Sequence, residues 1–194
     1  MRTIGVTGGV GAGKSQVLGL LREHFGAELI LADEVAHELM EPGGESYRQV
    51  VGRFGEGILL PSGQIDRKAL AEIIFHSEKE RLAVNAIVHP LVKAEIRRRI
   101  AASNCELAAV EAALLLEDHY DEFLDEIWYV YAPEEERIRR LMESRGYTRQ
   151  KAKSIMDSQM GDEQFRRRCH RVIDNSGSLA ETLAQLSALL EKNR

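Results

Sequence analysis

Ile4 and Val6 alternate with small residues in a short β-prone segment, glycines follow at once, and Val17, Leu18, Leu20, Leu21 and Phe25 then recur at helical spacing. A period that changes from two to 3.6 across a glycine-rich break predicts strand, loop and helix. Gly26 is expected to end that helix. Glu28–Leu31 reads as a second strand, and Val35, Ala36 and Leu39 mark a second helix stopped by Pro42-Gly43-Gly44.

From Glu45 to about Asn104 the pattern is helical, with no clear strand. Asp66 is placed to cap a helix reaching Phe75, and Ser77 with Glu80 forms a capping-box signature for the next, which Pro90 is expected to break or kink. Leu107–Val110 and Ile127–Tyr131 are continuous apolar runs, the signature of parallel strands covered on both faces. Pro133 then opens a very polar helical stretch carrying Arg137, Arg139, Arg140, Arg145 and Arg149, with Gly146 between two helices and Gly161 after the second. Val172-Ile173 predicts a short last strand, Asp174–Gly177 a turn, and Ser178 with Glu181 a capping box for the terminal helix.

Alternation of strands and helices, interrupted by one helical stretch, predicts an α/β protein: a P-loop NTPase-type parallel sheet flanked by helices, with a helical acceptor-binding insertion and a helical lid. The expected boundaries are 1–41, 105–132 and 163–194 for the nucleotide-binding core, 42–104 for the insertion and 133–162 for an arginine-bearing lid. A length of 194 residues suits one compact core with insertions.

Composition adds exclusions. With 44% hydrophobic and 29% charged residues the chain reads as a globular protein, and a net charge of -5 argues against nucleic acid as a partner. No apolar run approaches the length of a membrane span, so no membrane association is expected. Arg2 leads almost directly into the first strand and leaves no room for a signal peptide, and Cys105 and Cys169 lie apart without zinc-site company. The expectation is a protein of the reducing cytoplasm, a monomer or small homo-oligomer acting on small molecules.

The pattern G-x-x-x-x-G-K-[ST] is met by Gly8, Gly13, Lys14 and Ser15, between a strand and a helix where its mechanism requires it. Backbone N–H groups of Gly9, Val10, Gly11, Ala12, Gly13, Lys14, Ser15 and Gln16 would surround ATP phosphates, with the helix N-terminus adding aligned donors. Lys14 would reach the outer phosphates and Ser15 would ligate Mg²⁺. A glycine-rich turn that merely packs closely is the alternative.

Other candidates follow from placement. Asp33 lies at the C-terminal end of a strand expected beside the loop strand, so it can orient an acceptor hydroxyl and take its proton, or serve as a helix N-cap. Arginines on a closing lid can stabilise the transferring phosphoryl group, Arg140 and Arg145 being the preferred pair, although any one of them can equally belong to a solvated helix face. Glu111 ends a strand where many P-loop proteins place an acid near Mg²⁺, although a lone Glu at a strand end is more often an ordinary polar boundary. Asn175 in the late turn is placed to touch the nucleobase, although such a turn needs no ligand, and His89 before Pro90 reads as a capping or packing histidine of the acceptor region rather than a proton shuttle.

With these pieces in order the chain resembles the dephospho-coenzyme A kinase family along nearly its whole length, through TGGVGAGKS (7–15), ILADEVAHEL (30–39), IF followed by LAVNAIVHPLV (74–92), VEAALLLE (110–117) and VIDNSGSL (172–179). The resemblance implies transfer of the ATP γ-phosphate to the ribose 3′-hydroxyl of dephospho-coenzyme A. It makes Asp33 the catalytic aspartate, Lys14 and Ser15 the phosphate and magnesium residues, and Arg140 a lid arginine. Asp33, His89 and Glu111 are the residues expected on the acceptor side. Leu31 stands where the family often has an aspartate and Ala113 where it usually has proline; Ala12 and Gln16 vary the commoner loop spelling. A nucleoside monophosphate kinase would share the loop and lid, whereas a guanine-nucleotide switch would need an N-K-x-D motif that the sequence lacks.

Overall fold

A computed structural model describes residues 1–191. Strands β1 (Arg2–Thr7), β2 (Glu28–Leu31), β3 (Leu107–Glu111), β4 (Glu126–Tyr131) and β5 (Arg171–Asp174) form one sheet in the order β2-β3-β1-β4-β5. β1 runs parallel to both β3 and β4, and β4 parallel to β5. Ile4, Val6, Ala108, Ala109, Val110, Ile127, Trp128, Val130 and Ile173 are all fully buried, which is why these strands read as continuous apolar runs.

The strand order corrects one expectation. β2 does not neighbour the loop strand; β3, which arrives after the helical excursion, pairs with β1 from Arg2↔Leu107 to Val6↔Glu111 and separates the two. Parallel strands need a crossover rather than a hairpin, so the strand next in sequence has no privileged claim to adjacency.

The chain divides into two compact units, 1–29 with 104–194, and 30–103. The first carries α1 (Lys14–Phe25), and also, with ranges numbered along the chain, α6 (Glu134–Arg145), α7 (Arg149–Asp157), α8 (Asp162–Arg168) and α9 (Leu179–Glu191). Gly26 (φ 63°) and Gly146 (φ 62°) end α1 and α6 in the left-handed conformation, as their positions predict. The Ser178–Glu181 box is complete, with Ser178 N–H donating to the Glu181 carboxylate at 2.7 Å and Glu181 N–H to Ser178 Oγ at 3.3 Å.

The second unit holds α2 (Ala32–Leu39), α3 (Glu45–Phe54), α4 (Arg67–His76) and α5 (Glu78–Ala102) around Val50, Ile58, Ile65 and Leu70. Asp66 caps α4 by accepting from Lys68 and Ala69 N–H at 2.9 and 3.2 Å. Ser77 caps α5, but the Glu80 carboxylate takes Arg53 at 2.9 Å instead of closing the box. Pro90 does not break α5, contrary to the break its ring suggests: Pro90 and Ala86, whose carbonyl loses its donor, are both exposed, so water can replace the missing bond.

Candidate functional site: a glycine loop and its buttress

β1 ends at Thr7 and the chain turns at once through Gly8 to Gly13 into α1. Backbone conformation and close neighbours reserve positions of this turn for glycine. Gly8 has φ 151°, and a Cβ there would lie 2.5 Å from the Val130 carbonyl oxygen; Gly13 has φ 92°, and a Cβ there would run into Asn175 Nδ2. Gly13 is the N-cap of α1 and offers no side chain to the first helical amides, which leaves that end of the helix to an anion.

The β1–β3 register brings Glu111 opposite Val6, beside the start of the loop. Lys14 Nζ donates to the Gly8 carbonyl at 2.9 Å and stands 3.9 Å from the Glu111 carboxylate. A cavity of 390 Å³ opens over the loop, lined among others by Lys14, Ser15, Glu111, Arg140, Arg145 and Gln159. Ser15 and Arg145 are exposed, so the hydroxyl and guanidinium are accessible, whereas Ala12 is buried within the loop and Gln16 lies exposed in the first turn of α1.

The loop is held from behind by α6 and the turn after β5. Arg137 Nε donates to the Val10 carbonyl at 2.9 Å. Arg140 is spread over three acceptors: Glu136 Oε1 at 2.9 Å, the Ala12 carbonyl at 3.2 Å and the Asn175 carbonyl at 2.8 Å. Asn175, 1% exposed, donates from Nδ2 to Ala12 at 2.9 Å and accepts at Oδ1 from Thr182 Oγ1 at 3.0 Å. Gln159 Oε1 accepts from Val10 N–H at 2.8 Å. Hydrogen bonds from Arg139 and Arg140 hold the Glu136 carboxyl below its ordinary pKa, and burial lowers that of Arg137.

Sequence patterns singled out Arg140, Arg145 and Asn175 and placed Arg137 among the lid arginines; the bond from Arg137 to Val10, and the parts played by Gln159 and Thr182, were not anticipated. Their only signal was spacing: Arg137 lies three residues before Arg140 on one helix face, and Thr182 seven after Asn175.

Asp33 and His89 belong to the helical unit. Asp33 lies in the first turn of α2, exposed and without a capping role, since the N-cap is Leu31 and no side-chain cap bond is formed. His89 is half-buried on α5 and engaged in a contact.

A profile described as dephospho-CoA kinase matches residues 2–181. A dephospho-CoA kinase from Carboxydothermus hydrogenoformans is 40% identical over 97% of this chain and 93% of its own. Among solved structures, TT1252 from Thermus thermophilus superposes with a TM-score of 0.80 at 31% identity, over 100% of this chain and 98% of that one. A dephospho-CoA kinase from Campylobacter jejuni superposes at 0.74 and 24% identity over the full length of both, a likeness of fold.

Proposed function

The chain belongs to the dephospho-CoA kinase family, and on that premise we propose how its residues divide the work of the reaction. It transfers the γ-phosphoryl group of ATP to the ribose 3′-hydroxyl of dephospho-coenzyme A, the last step of coenzyme A synthesis. The observation that carries the donor half is the glycine loop, whose two strained turns and helix N-terminus sit at the C-terminal edge of a parallel sheet with Lys14, Ser15 and Glu111 around one cavity.

On this reading the backbone of residues 9–16 cradles the phosphates, and Lys14 exchanges the Gly8 carbonyl for phosphate oxygens. Arg145, exposed in the cavity lining, is the arginine able to follow charge onto the γ-phosphoryl group. Arg140 and Asn175 hold the loop's shape, with all three arms of the Arg140 guanidinium already committed. Asp33 orients the 3′-hydroxyl; as its oxygen bonds to the γ-phosphorus, the bond to the β,γ-bridging oxygen breaks, ADP leaves and the hydroxyl proton passes to the Asp33 carboxylate.

Hard oxygen donors suit Mg²⁺, which usually takes one or two protein ligands alongside substrate phosphates, and no cluster of three or more acidic, His or Cys side chains among the described residues offers a closed metal cage. Ser15 and Glu111 would hold it, where it would neutralise charge shared between the β- and γ-phosphates. Residues 133–162 are assigned as the lid, 42–104 as the acceptor-binding insertion with His89 among its contacts, and the remainder as the core. No helix among the described residues is long and apolar enough to cross a membrane, and a cytoplasmic setting is the one proposed.

Product identity tests the reading. With Mg·ATP and dephospho-coenzyme A, ³¹P and ¹H NMR of the product should show a new phosphomonoester coupled to the ribose H3′. Phosphate on any other oxygen would contradict it.

A further inference from the structure

Val10, in the first half of the glycine loop, is held by its side chain, its carbonyl and its N–H at once. The side chain packs against Ile138, Leu141 and Ala152 of α6 and α7. The carbonyl accepts from Arg137 Nε at 2.9 Å, and the N–H donates to Gln159 Oε1 at 2.8 Å. The glycines on either side lie against the same helix: a Cβ on Gly9 would run into the Arg137 guanidinium, and one on Gly11 would meet the Arg137 carbonyl oxygen at 2.8 Å.

The bond to Gln159 differs in kind from the other two. It occupies an N–H of the loop whose amides are the phosphate donors, and it comes from an exposed residue, in the turn after α7, that lines the phosphate cavity. A carboxamide oxygen accepts from a backbone N–H as a phosphate oxygen would. Lys14 shows which phosphate is concerned. Its Nζ, the group that reaches the outer phosphates, lies at 2.9 Å from the Gly8 carbonyl, two residues before Val10, whereas the helix N-terminus that takes the inner phosphates begins at Gly13. The Val10 N–H therefore belongs to the outer, γ end of the cradle.

We propose that Gln159 is a stand-in for the γ-phosphate: its carboxamide oxygen occupies the Val10 N–H while the loop is empty or holds ADP, yields it to a γ-phosphate oxygen when ATP binds, and recovers it once the phosphoryl group has been passed on. This rests on the reading that the loop binds ATP. The exchange favours ATP, because a charged oxygen makes a hydrogen bond roughly twice as strong as a neutral one. The side chain is exposed and swings away without opening a core, while Arg137 and the packing of the Val10 side chain keep the loop in shape. Breaking the Gln159 bond subtracts from the affinity for ATP and leaves that for ADP untouched. What is lost is ground-state binding, which does not speed the chemical step.

Calorimetric titration with Mg·ADP and with the Mg complex of the imido analogue of ATP, whose nitrogen bridge blocks transfer, gives the ratio of the two Kd values, ADP over analogue. Gln159→Ala should raise that ratio about three- to tenfold, almost wholly through tighter binding of the analogue, since one neutral hydrogen bond no longer has to be given up. Gln159→Glu puts a charged acceptor on the same N–H and should lower the ratio below that of wild type. In wild-type protein the ¹⁵N resonance of Val10 should stay nearly in place with ADP and move with the analogue. A ratio unchanged in both variants would overturn the proposal. A lower ratio in Gln159→Ala would make Gln159 a ligand of the γ-phosphate, and an equal loss of affinity for both nucleotides would make it only a brace of the loop; either result overturns the stand-in role. Wild-type protein that binds neither nucleotide would overturn the reading of the loop itself, a result distinct from any change in the ratio.

Discussion

Arg140 and Asn175 donate to the same acceptor, the Ala12 carbonyl oxygen, at 3.2 and 2.9 Å. Arg140 also donates to the Asn175 carbonyl, so α6, the turn after β5 and the glycine loop are tied at one point. The loop's shape is thus imposed by residues more than a hundred positions away in sequence, and this determines how substitutions at the knot will be felt.

Asn175→Ala removes a buried amide with a partner at each end, and the variant should lose about 1–3 kcal/mol of stability. Because the slackened element is the phosphate cradle, KM for ATP should rise roughly tenfold or more. The ratio of kcat/KM for ATP to that for GTP should not move, because the Asn175 side chain is buried and spent on Ala12 and Thr182. Thermal melts and paired ATP and GTP kinetics check this; a change in nucleotide preference with normal stability would show direct base contact.

Gly13→Ala combines a left-handed backbone, costing about 1–3 kcal/mol for a non-glycine residue, with a Cβ driven against Asn175 Nδ2. Calorimetric titration with Mg·ATP should show binding abolished while the circular dichroism spectrum stays native.

Asp33→Asn separates catalysis from architecture. Exposed and making no cap bond, Asp33 owes the fold little, so stability should change by no more than about 0.5 kcal/mol. kcat should fall about 10²- to 10⁴-fold with KM for ATP nearly unchanged, as expected for a lost general base. A matching loss of ATP affinity would argue against the assignment.

Glu95 gives the acid limb of stability a specific origin. Hydrogen bonds from Arg98 and then Arg99, working against burial, lower its pKa to about 2. A carboxyl depressed in the folded state stabilises above its unfolded pKa, near 4.5, and loses that contribution as pH falls toward 2. Glu95→Gln should therefore flatten the stability profile between pH 4.5 and 2 in urea titrations, and should lower stability at pH 7.

What could be read in advance follows from the range of each interaction. Loop, strands and caps are set by neighbours within a few residues, so Gly8–Ser15, Asp66 and the Ser178–Glu181 box were legible from spacing. The insertion of β3 between β1 and β2 was not, because strand adjacency is decided by crossovers through the whole fold. Pro90 leaves α5 unbroken because it and Ala86 are exposed, a tertiary fact that the local proline rule does not contain. The partners of Arg137, Gln159 and Thr182 could not be read in advance, because Val10 and Asn175 are brought to them by tertiary packing. Asp33 and Arg67, 34 positions apart, line one cavity of the helical unit because α2 and the start of α4 border the same space, which spacing alone does not show.

The most direct test of the account is ADP release from Mg·ATP by purified protein, measured in a coupled assay with dephospho-coenzyme A, AMP and shikimate in turn. The account predicts release that depends strongly on dephospho-coenzyme A and is near background with the other two. Equal stimulation by AMP or shikimate would contradict it.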